Sequence, residues 1–165
     1  MKITEKKTRE SGTQIVELAA VLPLLLFLAL AASEGAGVIR AHQVLNNAAR
    51  EGARLSTVQE NAGNLQFLQD SVTCYLIRNR VAPPARQVPS YCPATASATT
   101  NCKSYAVSIN QAVLVSNGGT VMPASQVTVS CGYPLNFLPR LPWFGVNNVV
   151  TLGGQAEFRN FWTNE

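Results

Sequence analysis

Residues 11–57 read SGTQIVELAAVLPLLLFLALAASEGAGVIRAHQVLNNAAREGARLST. Leu18 to Ser33 contains 16 residues without a charge, and the wider run Ile15–Ile39 is a 25-residue apolar stretch that only Glu17 and Glu34 interrupt. About 20 apolar residues at 1.5 Å each cross the ~30 Å hydrocarbon layer, so the length suits one membrane-spanning helix. The helical pattern continues past it. Val38, Ala41, Leu45, Ala48, Gly52 and Leu55 recur in alternating steps of three and four, which is one apolar or small stripe. A single helix from Thr13 to about Thr57 is therefore predicted, about 68 Å long, with half of it emerging from the bilayer as a stem. Pro23 removes one backbone hydrogen bond inside the span, so a kink or local melting is expected there. Gly52 costs about 1 kcal/mol relative to Ala in a helix. With Ala48 four residues before it, and with Ala49 and Ala53 similarly spaced, it strips bulk from a helix face so that a second backbone can approach. Packing of the stem on its own domain is the expectation, and packing on another subunit is the sharper alternative.

Three roles fit the apolar run: a plain N-terminal anchor, a secretory signal peptide cut after Ala31 in Ala29-Leu30-Ala31, or a leader that is cut before the run. Glu17 bears on the choice, because a carboxylate in a membrane helix is costly, by roughly 2.5–3.5 kcal/mol at the centre and less toward the ends. The segment Ser11-Gly12-Thr13-Gln14-Ile15-Val16-Glu17 resembles the type IV prepilin cleavage motif, with Gly before the cut and Glu five residues after it. The resemblance implies cleavage between Gly12 and Thr13, after which Glu17 would neutralise the new α-amino group within lipid. Lys2, Lys6, Lys7 and Arg9 precede the span, so that end is expected in the cytoplasm, although Arg40, Arg50 and Arg54 weaken the asymmetry.

The segment Ala48-Ala49-Arg50-Glu51-Gly52-Ala53-Arg54, with Gly12, Glu17, Leu22-Pro23-Leu24 and Glu34-Gly35 upstream, resembles the TadE-like proteins of the bacterial tight-adherence (Tad) pilus systems. The resemblance is strong over residues 11–56; near the C-terminus, Val127–Tyr133 and Gln155–Arg159 fit the family's layout more weakly. It implies a minor pilin or pseudopilin, processed by prepilin peptidase and taking part in assembly of a Tad-type pilus. Other Tad pilins or pseudopilins, the inner-membrane assembly platform and membrane lipid are the implied partners. The implied location is the bacterial inner membrane, single-pass, with the C-terminal domain periplasmic. The rival is a soluble periplasmic binding protein released by signal peptidase after Ala31. By spacing alone, Arg50, Glu51 and Arg54 form a solvated face whose pairs contribute only tenths of a kcal/mol; the resemblance implies a further importance for them.

The rest of the chain reads as an α+β domain. Residues 61–80 suggest a second, amphipathic helix with Leu65, Leu68, Val72, Tyr75 and Leu76 on one side, ended by Pro83-Pro84. Residues 85–104, rich in Pro, Ser, Thr and Ala, read as a loop. Strands are expected around Tyr105–Val115, Thr120–Met122, Gln126–Cys131 and Asn148–Phe158, giving three to five antiparallel strands. Asn117-Gly118-Gly119 is expected to form a hairpin turn, and Gly153-Gly154 a bulge. The Pro-punctuated segment Tyr133–Phe144 is expected to cap the core, or else to present an apolar patch to a partner or the membrane surface. The predicted organisation is thus a leader over 1–12, a transmembrane and stem helix over 13–57, and an exported domain over 58–165. The architecture is pilin-like: a long helix packed on a small domain with a second helix and an antiparallel sheet.

Cys74, Cys92, Cys102 and Cys131 all lie beyond the span, and an even number in an exported domain suggests two disulfides. Three connectivities are open; proximity favours Cys92–Cys102, leaving Cys74–Cys131. No CxxC is present, and the only histidine, His42, lies on the stem, so neither metal nor cofactor is expected. No nucleophile–base set or phosphate-binding Gly loop points to an enzyme. The chain has 13 Lys+Arg, 9 Asp+Glu and a net charge of +4, too little and too N-terminal for a nucleic-acid surface. Residues 41–165 carry only 8 basic and 5 acidic side chains, which suits a domain packed among sister subunits better than a freely soluble one.

Overall fold

The computed structural model describes residues 5–61, 63–82, 92, 101–117, 120–136 and 149–159. Helix α1 runs without interruption from Glu5 to Ser56, through Pro23. A single 3₁₀ turn at Gln59–Asn61 follows, then helix α2 at Leu65–Arg78. The predicted second helix therefore starts later than expected. Asn64 caps it: the Phe67 N–H donates to Asn64 Oδ1 at 3.1 Å, which satisfies one of the orphan donors of the first turn. Leu68, Val72 and Leu76 are buried on the expected side, but Leu65, in the first turn, is exposed.

Strands β1 (Ser104–Asn117), β2 (Thr120–Pro134) and β3 (Val149–Arg159) form an antiparallel meander in the order β1-β2-β3. The two separate strands expected at Thr120–Met122 and Gln126–Cys131 are one. Pro123 does not break it: it lies opposite Leu114 of β1, one residue before the ladder with β3 begins at Ala124, so β2 has a single neighbouring strand there. Within sheets, proline is confined to such edge positions. Asn117 pairs with Thr120, the register of a two-residue hairpin connection; Gly118 and Gly119 lie outside the described residues, as do most of the 85–104 loop and residues 137–148.

The bulge expected at Gly153-Gly154 is absent: Ser130 pairs with Gly153 and Val129 with Gly154 in unbroken register. The irregularity falls between Asn110 and Val113 on β1, where the Ala112 N–H turns to Asn110 Oδ1 at 3.0 Å. Gly154 answers a different need, described below.

One core joins these elements. Ala41, Leu45, Ala48, Ala49 and Ala53 of α1, Val72, Leu76 and Ile77 of α2, Val127, Val129 and Cys131 of β2 and Leu152 of β3 are all buried together. Tyr105, Val107 and Ile109 of β1 pack on its edge. The opposite face of the sheet carries Ser104, Ala106, Ser108 and Asn110 on β1, and Thr151, Gly153, Gln155 and Glu157 on β3, all exposed. This is an α+β, pilin-like fold in which the second half of α1 is itself a core element.

The cysteines pair as Cys74–Cys92 and Cys102–Cys131, with Cα separations of 5.6 and 5.7 Å. The favoured pairing Cys92–Cys102 with Cys74–Cys131 is thus overturned. Sequence proximity misled because the Cys102 N–H bonds to the Val81 carbonyl at 3.0 Å and the Lys103 N–H to the Gly132 carbonyl at 2.9 Å. These bonds seat Cys102 between the end of α2 and β2, within bridging distance of Cys131.

Candidate functional site

The stem is where the motif residues gather, and the fold explains their order. In AAREGAR, the small residues Ala48, Ala49, Gly52 and Ala53 turn inward and are buried. Arg50 and Arg54 turn outward and are exposed, and Glu51 is half-buried. Helical periodicity produces this division, since positions three and four apart share a face. A Cβ on Gly52 would come 2.5 Å from Val72 Cγ2 and 3.2 Å from Val127 Cγ1, so glycine is what allows α2 and β2 to close on the same spot of the stem. These small residues therefore serve the stem's packing on its own domain.

Two more glycines fix how the sheet lies on the stem. A Cβ on Gly154 would fall 2.6 Å from the Leu45 carbonyl carbon and 2.7 Å from the Asn46 nitrogen, so β3 touches helix backbone at that point. Close backbone approach is a standard reason for glycine within a strand. One on Gly37 would come 2.5 Å from the Tyr133 hydroxyl. Further along, the Asn136 N–H donates to Glu34 Oε1. From Gly52 to Gly37 the helix covers about 22 Å, and from Val127 to Tyr133 the strand covers about 20 Å, so β2 runs alongside α1 toward the apolar half of the helix. Sequence reasoning missed Gly37, Tyr133, Asn136 and the role of Gly154. Only the Gly153-Gly154 pair carries a signal in the sequence, and that signal suggests a bulge rather than a close approach.

On the outer face Arg54 forms a two-pronged pair with Glu51, with Nη2 to Oε1 at 2.7 Å and Nε to Oε2 at 3.0 Å. The hydrogen bonds from Arg54 hold the Glu51 carboxyl below its ordinary value of 4.5 against a smaller opposing effect of burial. Those same bonds push the Arg54 guanidinium higher still. His42 is exposed and sits 3.1 Å from Asn46 Nδ2. All four cysteines are in disulfides, and among the described residues no group of three or more His, Cys, Asp or Glu could hold a metal ion.

The other half of α1 behaves differently. Its most apolar window has a mean hydropathy of 2.6, and none of it is buried by the rest of the chain. Ile15, Val16, Leu18, Leu22, Leu24, Leu25, Leu26 and Leu28 each expose more than half of their surface. A core helix of a soluble protein would be covered, so this long apolar helix is compatible with a single-pass membrane protein. Gly12 and Thr13 lie within α1, and Glu17 is exposed on it.

Comparison with curated proteins and with solved structures gives no match. The helix itself is recognisable, from the glycine before the apolar run to the arginine of the salt bridge: residues 12–54 match the family model described as TadE-like protein, and over that segment the chain is similar to that family.

Proposed function

We propose that this chain is a minor pilin or pseudopilin that takes part in assembly of a Tad-type pilus. The observation that carries the reading is the division of α1. One half is locked into a disulfide-bonded domain, and the other half is apolar, unburied and included in the TadE-like match. A helix of this kind needs an apolar partner, either lipid or the same helix of a neighbouring subunit. It passes from one to the other during assembly.

In this proposal residues 1–12 are a cytoplasmic leader, 13–57 the transmembrane and stem helix, and 58–165 the periplasmic domain. Prepilin peptidase cuts between Gly12 and Thr13. Because α1 is helical there, the bond must unwind to enter a protease cleft, and glycine lowers that cost by about 1 kcal/mol relative to Ala. The new α-amino group on Thr13 lies one helical turn from Glu17, whose carboxylate offsets its charge in lipid, on the same or a neighbouring chain. Other Tad pilins and the inner-membrane platform are the partners, and the chemistry is assembly rather than catalysis.

N-terminal sequencing of the mature protein from membranes of its native host tests the reading. Thr13 as the first residue is the expected result. Ala32 would replace it with a soluble periplasmic protein released by signal peptidase. Met1, in cells with active prepilin peptidase, would leave an anchored module outside the pilin pathway.

A further inference from the structure

We infer that the membrane-facing end of the folded domain docks on the anionic headgroups of the bilayer that holds its own helix. The inference rests on the reading of α1 as a membrane anchor. If the hydrocarbon layer begins near Gln14, about 30 Å of helix brings its far boundary to Ser33, immediately before Glu34. The Asn136 bond to Glu34 and the approach of Tyr133 to Gly37 then hold the end of β2 at headgroup height. Val149 and Val150, paired with Pro134 and Tyr133, come to the same level. Both are exposed, at 39% and 36%.

Charge is distributed to match. Arg40 lies one turn above Gly37. Lys103 is bonded through its backbone to Gly132, beside Tyr133, and Arg80 to Asn101, next to Cys102. All three are exposed. Glu34 is the sole acidic residue at this end among the described residues. The other described acids beyond the apolar run, Glu51, Glu60, Asp70 and Glu157, belong to the far half: Asp70 precedes Val72, which packs at Gly52, and Glu157 pairs with Gln126, beside Val127. From a plane at Ser33, Arg40 is about 10 Å away, within about a Debye length of headgroup charge. Basic residues so placed are attracted to an anionic surface.

The experiment uses the full chain, with both native disulfides formed, in nanodiscs of phosphatidylcholine with about one-third phosphatidylglycerol. Bimane is attached at Val150→Cys, at Leu25→Cys within the span, or at Leu114→Cys at the far end of the sheet. Val149→Cys is the alternative rim site if Val150→Cys does not fold. The expected result is quenching of the rim probe by headgroup nitroxide lipid, quenching of the Leu25 probe by nitroxide deep in the acyl chains, and none at Leu114. Rim quenching should fall about twofold or more in molar salt, in pure phosphatidylcholine, and in an Arg80→Gln/Lys103→Gln variant. A quenched Leu25 probe beside a rim probe as unquenched as Leu114 overturns the docking and leaves the anchor standing. An unquenched Leu25 probe overturns the anchor, and the docking with it. Rim quenching indifferent to phosphatidylglycerol and salt overturns the electrostatic recognition.

Discussion

Gly154 and Gly153 stand side by side in β3, yet the structure gives them opposite tolerances. A methyl on Gly154 meets the backbone of Leu45 and Asn46, which cannot step aside, whereas the nearest atom to a methyl on Gly153 is 3.9 Å away. Gly154→Ala should therefore cost about 2–3 kcal/mol of stability, and Gly153→Ala should stay within about 0.5 kcal/mol, both measured by denaturant unfolding. Glu51 offers a test of electrostatics at the same scale. Its carboxyl is held below 4.5 in the folded chain by Arg54. The pair's contribution is therefore complete above that ordinary value and is lost as pH falls through the lower folded one. NMR titration of the Glu51 side-chain carboxyl should give a midpoint below 4.5. Arg54→Ala should move that midpoint up toward the ordinary value. Arg54 is exposed and Glu51 only half-buried, so the stability change should be small.

Among the elements, α1 has two jobs on one continuous helix. Its outer half carries an apolar window that the rest of the chain leaves uncovered, and its inner half supplies Ala41, Leu45, Ala48, Ala49 and Ala53 to the core. Gly52→Leu drives a side chain into Val72 and Val127 at once, so a loss of about 3 kcal/mol or more is expected in the detergent-solubilised monomer. An unchanged Tm would show that the close approach of α2 and β2 is not needed. The disulfides tie the remaining elements. Cys102–Cys131 fixes the start of β1 to β2, and Cys74–Cys92 fixes α2 to the chain that leaves it. With sequence separations of 18 and 29, chain-entropy arithmetic gives about 3 kcal/mol for Cys74–Cys92 and slightly more for Cys102–Cys131. Cys74→Ser/Cys92→Ser and Cys102→Ser/Cys131→Ser should each lose roughly that amount on denaturation, and a non-reducing digest should recover these two pairs.

For the whole molecule, the partition of α1 implies that the domain folds independently of the helix's uncovered apolar half. A chain beginning at Glu34 discards the unburied apolar window and keeps the Asn136 contact and the entire core. It should be soluble and keep its Tm to within about 2 °C, since no buried group is removed. A chain beginning at Asn46 loses Ala41 and Leu45, both fully buried, and should unfold below ambient temperature or fail to accumulate. Equal stability of the two chains, by calorimetry, would refute the placement of the stem in the core.

The long helix was legible in the sequence because its two signals are local and strong: an uncharged run of membrane length, and a three–four stripe that continues beyond it. The alternation of Tyr105, Val107 and Ile109 likewise marked β1, and the same small residues that strip the stem's face marked where something would pack. The partners themselves came only from the tertiary structure. No spacing could place Gly52 against Val72 and Val127, or Gly154 against the Leu45 backbone, because each contact joins segments far apart in the chain. For the same reason short separation favoured the wrong disulfides, while the bonds of Cys102 and Lys103 to α2's exit and to β2 chose the right ones. Periodicity within a helix is a property of consecutive residues, and so the sequence determines it. Which face of which element lies opposite depends on how the whole chain closes around one core.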